Sequence, residues 1–124
     1  MNMLSLLKID EVVVTAVPGY GLHDISKYTK GQQVVYIKHV FVSKIHSLVK
    51  PNITAEEIDF LRRLDQAHQH CYFLVYVKSK TTGRYDSAFF MDDIEAIKGL
   101  EVIEVEPRLK NLDTISQVIR NVLL

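Results

Sequence analysis

Tyrosine and lysine recur at every second position in two apolar stretches of the chain. In Val34–Ile45, Val34, Tyr36, Lys38 and Val40 fall on one side of an extended segment; in Cys71–Lys80, so do Tyr72, Leu74, Tyr76, Lys78 and Lys80. If these segments are neighbouring strands with coincident faces, phenol rings and ammonium groups share one surface. Such a surface binds nucleic acid, because bases stack on rings while cations hold phosphates. On this reading Tyr36, Tyr72 and Tyr76 stack, and Lys38, Lys78, Lys80 and Arg84 neutralise phosphates.

A second group is His68-Gln69-His70-Cys71. Two histidines at i and i+2 on an extended segment point the same way, the arrangement a divalent metal needs. The competing expectation is a helix end whose histidines complement the carbonyl dipole, with Cys71 as an inert core thiol. Pro18-Gly19-Tyr20-Gly21 lacks the Gly-Lys-Ser/Thr ending of a phosphate loop and reads as a turn, with Tyr20, His23 and Tyr28 as contact anchors.

Three segments resemble known families. Val35-Tyr36-Ile37-Lys38-His39-Val40 is similar to the first-strand motif of RNA-recognition motif domains, and Ser87-Ala88-Phe89-Phe90-Met91 is loosely similar to their other signature strand. That resemblance implies Tyr36 and Phe89 as stacking rings. His68-Gln69-His70 running into an apolar strand resembles HUH-type nickases, although no tyrosine follows on a helix to act as nucleophile. Tyr76-Val77-Lys78 resembles a strand of PD-(D/E)xK nucleases, with Lys78 in the lysine position. The carboxylate two residues earlier is replaced by Tyr76, so the segment lacks the paired acids that hold Mg²⁺.

The elements that must position these groups follow from pattern. Glu11–Val17 and Val34–Ile45 read as strands, with a polar loop between Pro18 and Gln33. Thr54 with Glu57 forms a capping box, and Ile53 with Ile58 a hydrophobic staple, which opens a helix over Ala55–His68. Cys71–Lys80 and Arg84–Met91 form a hairpin through Thr81-Thr82-Gly83. Asp92 and Glu95 make a second capping box for a helix stopped by Gly99. Glu101–Glu106 reads as a strand, and Asn111 or Asp113 opens a last helix with Leu112, Ile115, Ile119, Val122 and Leu123 as its apolar stripe. The expected fold is α+β: a small mixed or antiparallel sheet with helices mainly on one face. Its core is a ferredoxin-like βαββαβ unit, with an added N-terminal strand and C-terminal helix.

The 124 residues form one domain, and 15 basic against 15 acidic side chains exclude a disordered acidic or basic tail. The neutrality hides segregation. Tyr20–Lys50 carries five lysines against Asp24, Lys78, Lys80 and Arg84 surround one turn, and Asp86–Glu106 holds seven acids against Lys98. One cysteine and an apolar start too short to span a bilayer point to a reducing cytoplasmic setting without membrane attachment. The function expected is a non-catalytic module that binds nucleic acid, without metal or other cofactor. Two alternatives are a protein-interaction or inhibitor module acting as a homodimer, and a metal-dependent nuclease or nickase around His68 and His70.

Overall fold

Phe73, Leu74, Val75, Tyr76 and Val77 are all buried, and a strand that is apolar on both sides belongs in the middle of a sheet. The computed structural model, which describes residues 9–22, 24–45 and 47–123, places it there. The strands are β1 (Val13–Ala16), β2 (Ile25–Lys30), β3 (Gln33–Val42), β4 (Leu48–Val49), β5 (His70–Lys78), β6 (Tyr85–Met91), β7 (Leu100–Glu101) and β8 (Lys110–Asn111). The helices are α1 (Ala55–Gln66), α2 (Asp93–Lys98), α3 (Val102–Val105) and α4 (Leu112–Val122). A six-stranded mixed sheet runs β1-β2-β3-β5-β6-β8, and β4 pairs with β7 in a separate two-stranded ribbon. β3 and β5 are parallel, joined through α1; every other pairing in the sheet is antiparallel.

The fold is therefore α+β, as the pattern indicates, but with more strands than a ferredoxin-like unit and a different layering. Helices cover both faces. On one, α1 and α2 contribute Leu61 and Ala96 to a core with Val40, Phe73, Val75 and Phe89. On the other, α4 contributes Ile115 and Ile119 to a core with Val35, Ile37, Leu74 and Tyr76. Three of the four helices (α3 through Val105) lie on the first face, as the pattern indicates, but α4 covers the second, because β3 and β5 carry apolar residues on both sides and each side needs a cover.

Two segments depart from the sequence expectation. Ile25–Lys30 is a strand rather than a loop, paired with β3 so that Lys30 meets Gln33 across Gly31-Gln32. Gly31 supplies the positive φ of 61° that such a two-residue turn needs. Glu101–Glu106 is strand only at Leu100–Glu101 and then turns helical, which buries Val105 and leaves Ile103 exposed. Both capping boxes form: Thr54 with Glu57 at α1, and Asp92 with Glu95 at α2. Among the described residues no helix is long and apolar enough to cross a membrane. The apolar start Met1–Leu7 and the proposed anchor His23 lie outside the described residues.

Candidate functional site

The parallel pairing of β3 and β5 brings their carboxyl ends to the same edge of the sheet, where Val42 stands beside Val77. Crevices outside the carboxyl ends of parallel strands are favoured ligand sites in open sheets. Here two clefts meet at Ser43 and Lys44. One is lined by Lys38, Lys44, Lys50 and Asn52, the other by Lys44, Lys78, Ser79 and Lys80. Together they form a groove that gathers lysines from β3, the chain after it, and the β5–β6 hairpin. Lys44, Lys50, Lys78 and Lys80 are exposed, so their ammonium groups are free to meet an anion in solvent.

Lys38 closes one end and differs from the rest. It is only 5% exposed, on the β3 face that α1 covers. A buried ammonium needs partners, and Lys38 Nζ has two: Glu57 Oε2 at 2.7 Å and Asp24 Oδ1 at 3.8 Å. Asp24 is placed by the β2–β3 ladder, its carbonyl accepting from the His39 N–H at 2.7 Å. Glu57 is placed by the capping box, its Oε1 accepting from the Thr54 N–H and Oγ1–H, both at 3.1 Å. Burial would raise the Glu57 carboxyl pKa, but hydrogen bonds from Lys38 and Thr54 outweigh it and hold the group below the ordinary carboxylate range. Glu57 therefore caps a helix with one oxygen and neutralises Lys38 with the other.

The predicted site residues separate. Tyr36 and Lys38 face α1, Tyr36 lying edge-on to Phe60 of that helix at 6.4 Å between centroids. Tyr72 and Tyr76 belong to the opposite face, packed with the core under α4. Tyr76 is fully buried, and its hydroxyl completes a polar chain. Ser26 Oγ donates to the Leu22 carbonyl at 2.6 Å, which leaves that oxygen to accept from His39 Nε2–H at 3.0 Å. His39 Nδ1 then accepts from the Tyr76 hydroxyl at 2.8 Å. Burial pushes the Tyr28 and Tyr76 hydroxyls far above the usual phenol range. Tyr28, read as a contact anchor, is a core residue at 2% exposure. Arg84 is exposed on the hairpin, two residues beyond Thr82, whose Oγ1 accepts from its N–H.

The histidine group loses its geometric basis. His68 has φ 60° in the turn after α1, so His68 and His70 do not lie on one extended segment. Cys71 donates to the Leu61 carbonyl at 3.4 Å, and burial with the nearby Asp65 and Asp93 carboxylates pushes its thiol up to about 11. Lys44, Lys50, Asp24 and Glu57 were not singled out as site residues from sequence. The signals that locate them are the Gly31-Gln32 turn, which sets Asp24 opposite His39, and the capping box, which fixes Glu57. Comparison with protein-family models, curated proteins and solved structures finds no match, so the reading of this site rests on its own residues.

Proposed function

We propose that the chain binds the phosphate backbone of a nucleic acid in the groove at the carboxyl ends of β3 and β5. The observation that carries this reading is the convergence of Lys44, Lys50, Lys78 and Lys80 on one continuous groove of a chain with no net charge. Such local concentration of one sign raises the density of phosphate at the surface even when the whole molecule is neutral. The lysines replace condensed counterions, so binding must weaken with salt. Engagement of all four gives a slope of log K against log salt of about −3 on a single strand. Lys44→Ala combined with Lys78→Ala is expected to reduce that slope by about 1 to 2 and to weaken binding uniformly across sequences. Fluorescence anisotropy with labelled oligonucleotides at several salt concentrations measures both. A flat salt response, or unchanged binding by the double variant, removes the proposal.

A second reading, hydrolysis of the bound phosphodiester, is favoured by the acid pair around Lys38. The Tyr76-Val77-Lys78 segment lacks two carboxylates, yet Asp24 and Glu57 stand together at Lys38, at the end of the groove. Among the described residues no cluster of three or more metal-ligating side chains forms, so Mg²⁺, commonly held by one or two carboxylates plus substrate phosphate oxygens, would rely on Asp24 and Glu57 together with the bound phosphate. A bound divalent ion polarises phosphoryl oxygens and lowers the pKa of water. Lys38, held between the two carboxylates, would supply a positive charge for a phosphate oxygen. Strand cleavage dependent on Mg²⁺ or Mn²⁺, and lost in both Asp24→Asn and Lys38→Met, is the outcome this reading requires. Salt-dependent binding without cleavage under either ion leaves the binding reading alone.

A further inference from the structure

Beside the acid pair lies a shelf of rings. Phe60 is one helical turn beyond Glu57, and Tyr36 is two residues before Lys38 on the same strand face. The Phe60 ring sits 5.3 Å from Tyr20 at an angle of 46° and 6.4 Å from Tyr36 at 79°. All three are half-buried rather than sealed. Lys27 Nζ lies 6.0 Å from the Tyr36 ring centroid, adding a cation at the outer end. Tyr20 is set by a turn in which its N–H donates to the Val17 carbonyl at 2.9 Å, after Gly19 at φ 90°.

The charge around this shelf differs from that of the groove. Partial burial, together with the charges of Glu56, Glu57 and Asp59 on α1 and against that of Arg63, raises the Tyr20 hydroxyl pKa. Rings and carboxylates suit a nucleobase better than a phosphate: its π-face stacks on the rings, and its amino edge donates to carboxylates. We infer that Tyr20, Phe60 and Tyr36 form a stacking site for an unpaired base whose backbone runs through the lysine groove past Lys38. The inference rests on the backbone-binding reading and narrows its ligand to single-stranded or unpaired nucleic acid, since a paired base must leave its stack to reach the shelf.

The test uses the full chain with four probes of equal length: a deoxy strand and a ribo strand each carrying one 2-aminopurine, a blunt duplex, and an abasic strand. At fixed salt, at least one of the two single strands is expected to bind roughly tenfold or more tightly than both the duplex and the abasic strand, with 2-aminopurine quenched on binding. Which of the two is preferred distinguishes a DNA from an RNA ligand. Tyr20→Ala is expected to lose the quenching and most of that preference while keeping the salt slope, and Tyr20→Phe to restore both. If Tyr20→Ala is unfolded by circular dichroism, Tyr36→Leu provides the same comparison. Equal binding of single strand, duplex and abasic strand, with the salt slope intact, overturns the shelf and leaves the groove standing. No salt-dependent binding to any probe overturns both.

Discussion

Glu57 carries two structural tasks on one carboxylate, and its titration reports both. Its folded-state pKa is depressed, so it contributes stability above the unfolded carboxyl pKa and loses that contribution as pH falls through the folded value. The melting temperature is expected to fall on acidification below about pH 4.5, with Glu57→Gln showing a shallower acid limb. At neutral pH Glu57→Gln leaves Lys38, which is 7% exposed in its side chain, without its nearest counter-charge. A loss of about 2 to 3 kcal/mol is expected, below the range for a fully buried pair because Asp24 remains beside it. Urea denaturation of the two proteins between pH 3 and 7 measures the difference; parallel curves would show that the carboxylate is not linked to folding. Cys71 offers a sharper residue-level check. With its thiol pushed up to about 11 and bonded to the Leu61 carbonyl, it is expected to react with a disulfide reagent at pH 7.5 at least tenfold more slowly than in the urea-unfolded chain. Equal rates would place the thiol in an open, reactive setting.

At the level of elements, the capping boxes were readable because they are local: four residues hold every partner, and the structure closes both. Strand β2 was not, because its inward positions include Ser26, a polar residue whose burial makes sense only once His39 and the Leu22 carbonyl are known to meet it. Glu101–Glu106 misled in the opposite way. Its β-branched residues suit a strand, yet Val102 and Val105 stand at helical spacing and only Val105 reaches the core. The same limit governs the site. The lysines at the hairpin are visible by charge, while the acid pair around Lys38 needs a ladder and a helix that are far apart in sequence. Because Thr54 and Lys38 both hold Glu57, their substitutions should not be independent. Thr54→Ala is expected to cost about 1 kcal/mol alone. Combined with Lys38→Met it should depart from additivity by at least about 0.5 kcal/mol, whereas Asp92→Ala, which caps α2, should add to Lys38→Met without coupling. A double-mutant cycle by chemical denaturation separates these outcomes, and additive behaviour in the first pair would show that cap and ion pair act separately.

For the molecule as a whole, the decisive feature is that α4 covers the face the other three helices leave, so the sheet separates two cores. A sheet covered on one face has one cluster whose disruption costs stability and one face on which substitutions are tolerated. Here Leu61 of α1 is 2% exposed in the core on one side, and Ile119 of α4 is 1% exposed in the core on the other. Removing buried methyl groups costs the lost transfer free energy plus a cavity term. Leu61→Ala is therefore expected to destabilise by about 2 to 5 kcal/mol and Ile119→Val by about 0.5 to 1.5 kcal/mol. With the sheet between them and no shared cluster, the two changes are expected to add to within about 0.5 kcal/mol in the double variant. Urea unfolding followed by tyrosine fluorescence and circular dichroism supplies all three values. A neutral Ile119→Val would mean that α4 does not cover the sheet, and the Tyr72 and Tyr76 face would then be open to the ligand first expected there. Strong coupling between the two sites would instead join the cores into one and remove the separation that places Tyr36 and Lys38 under α1, away from Tyr76.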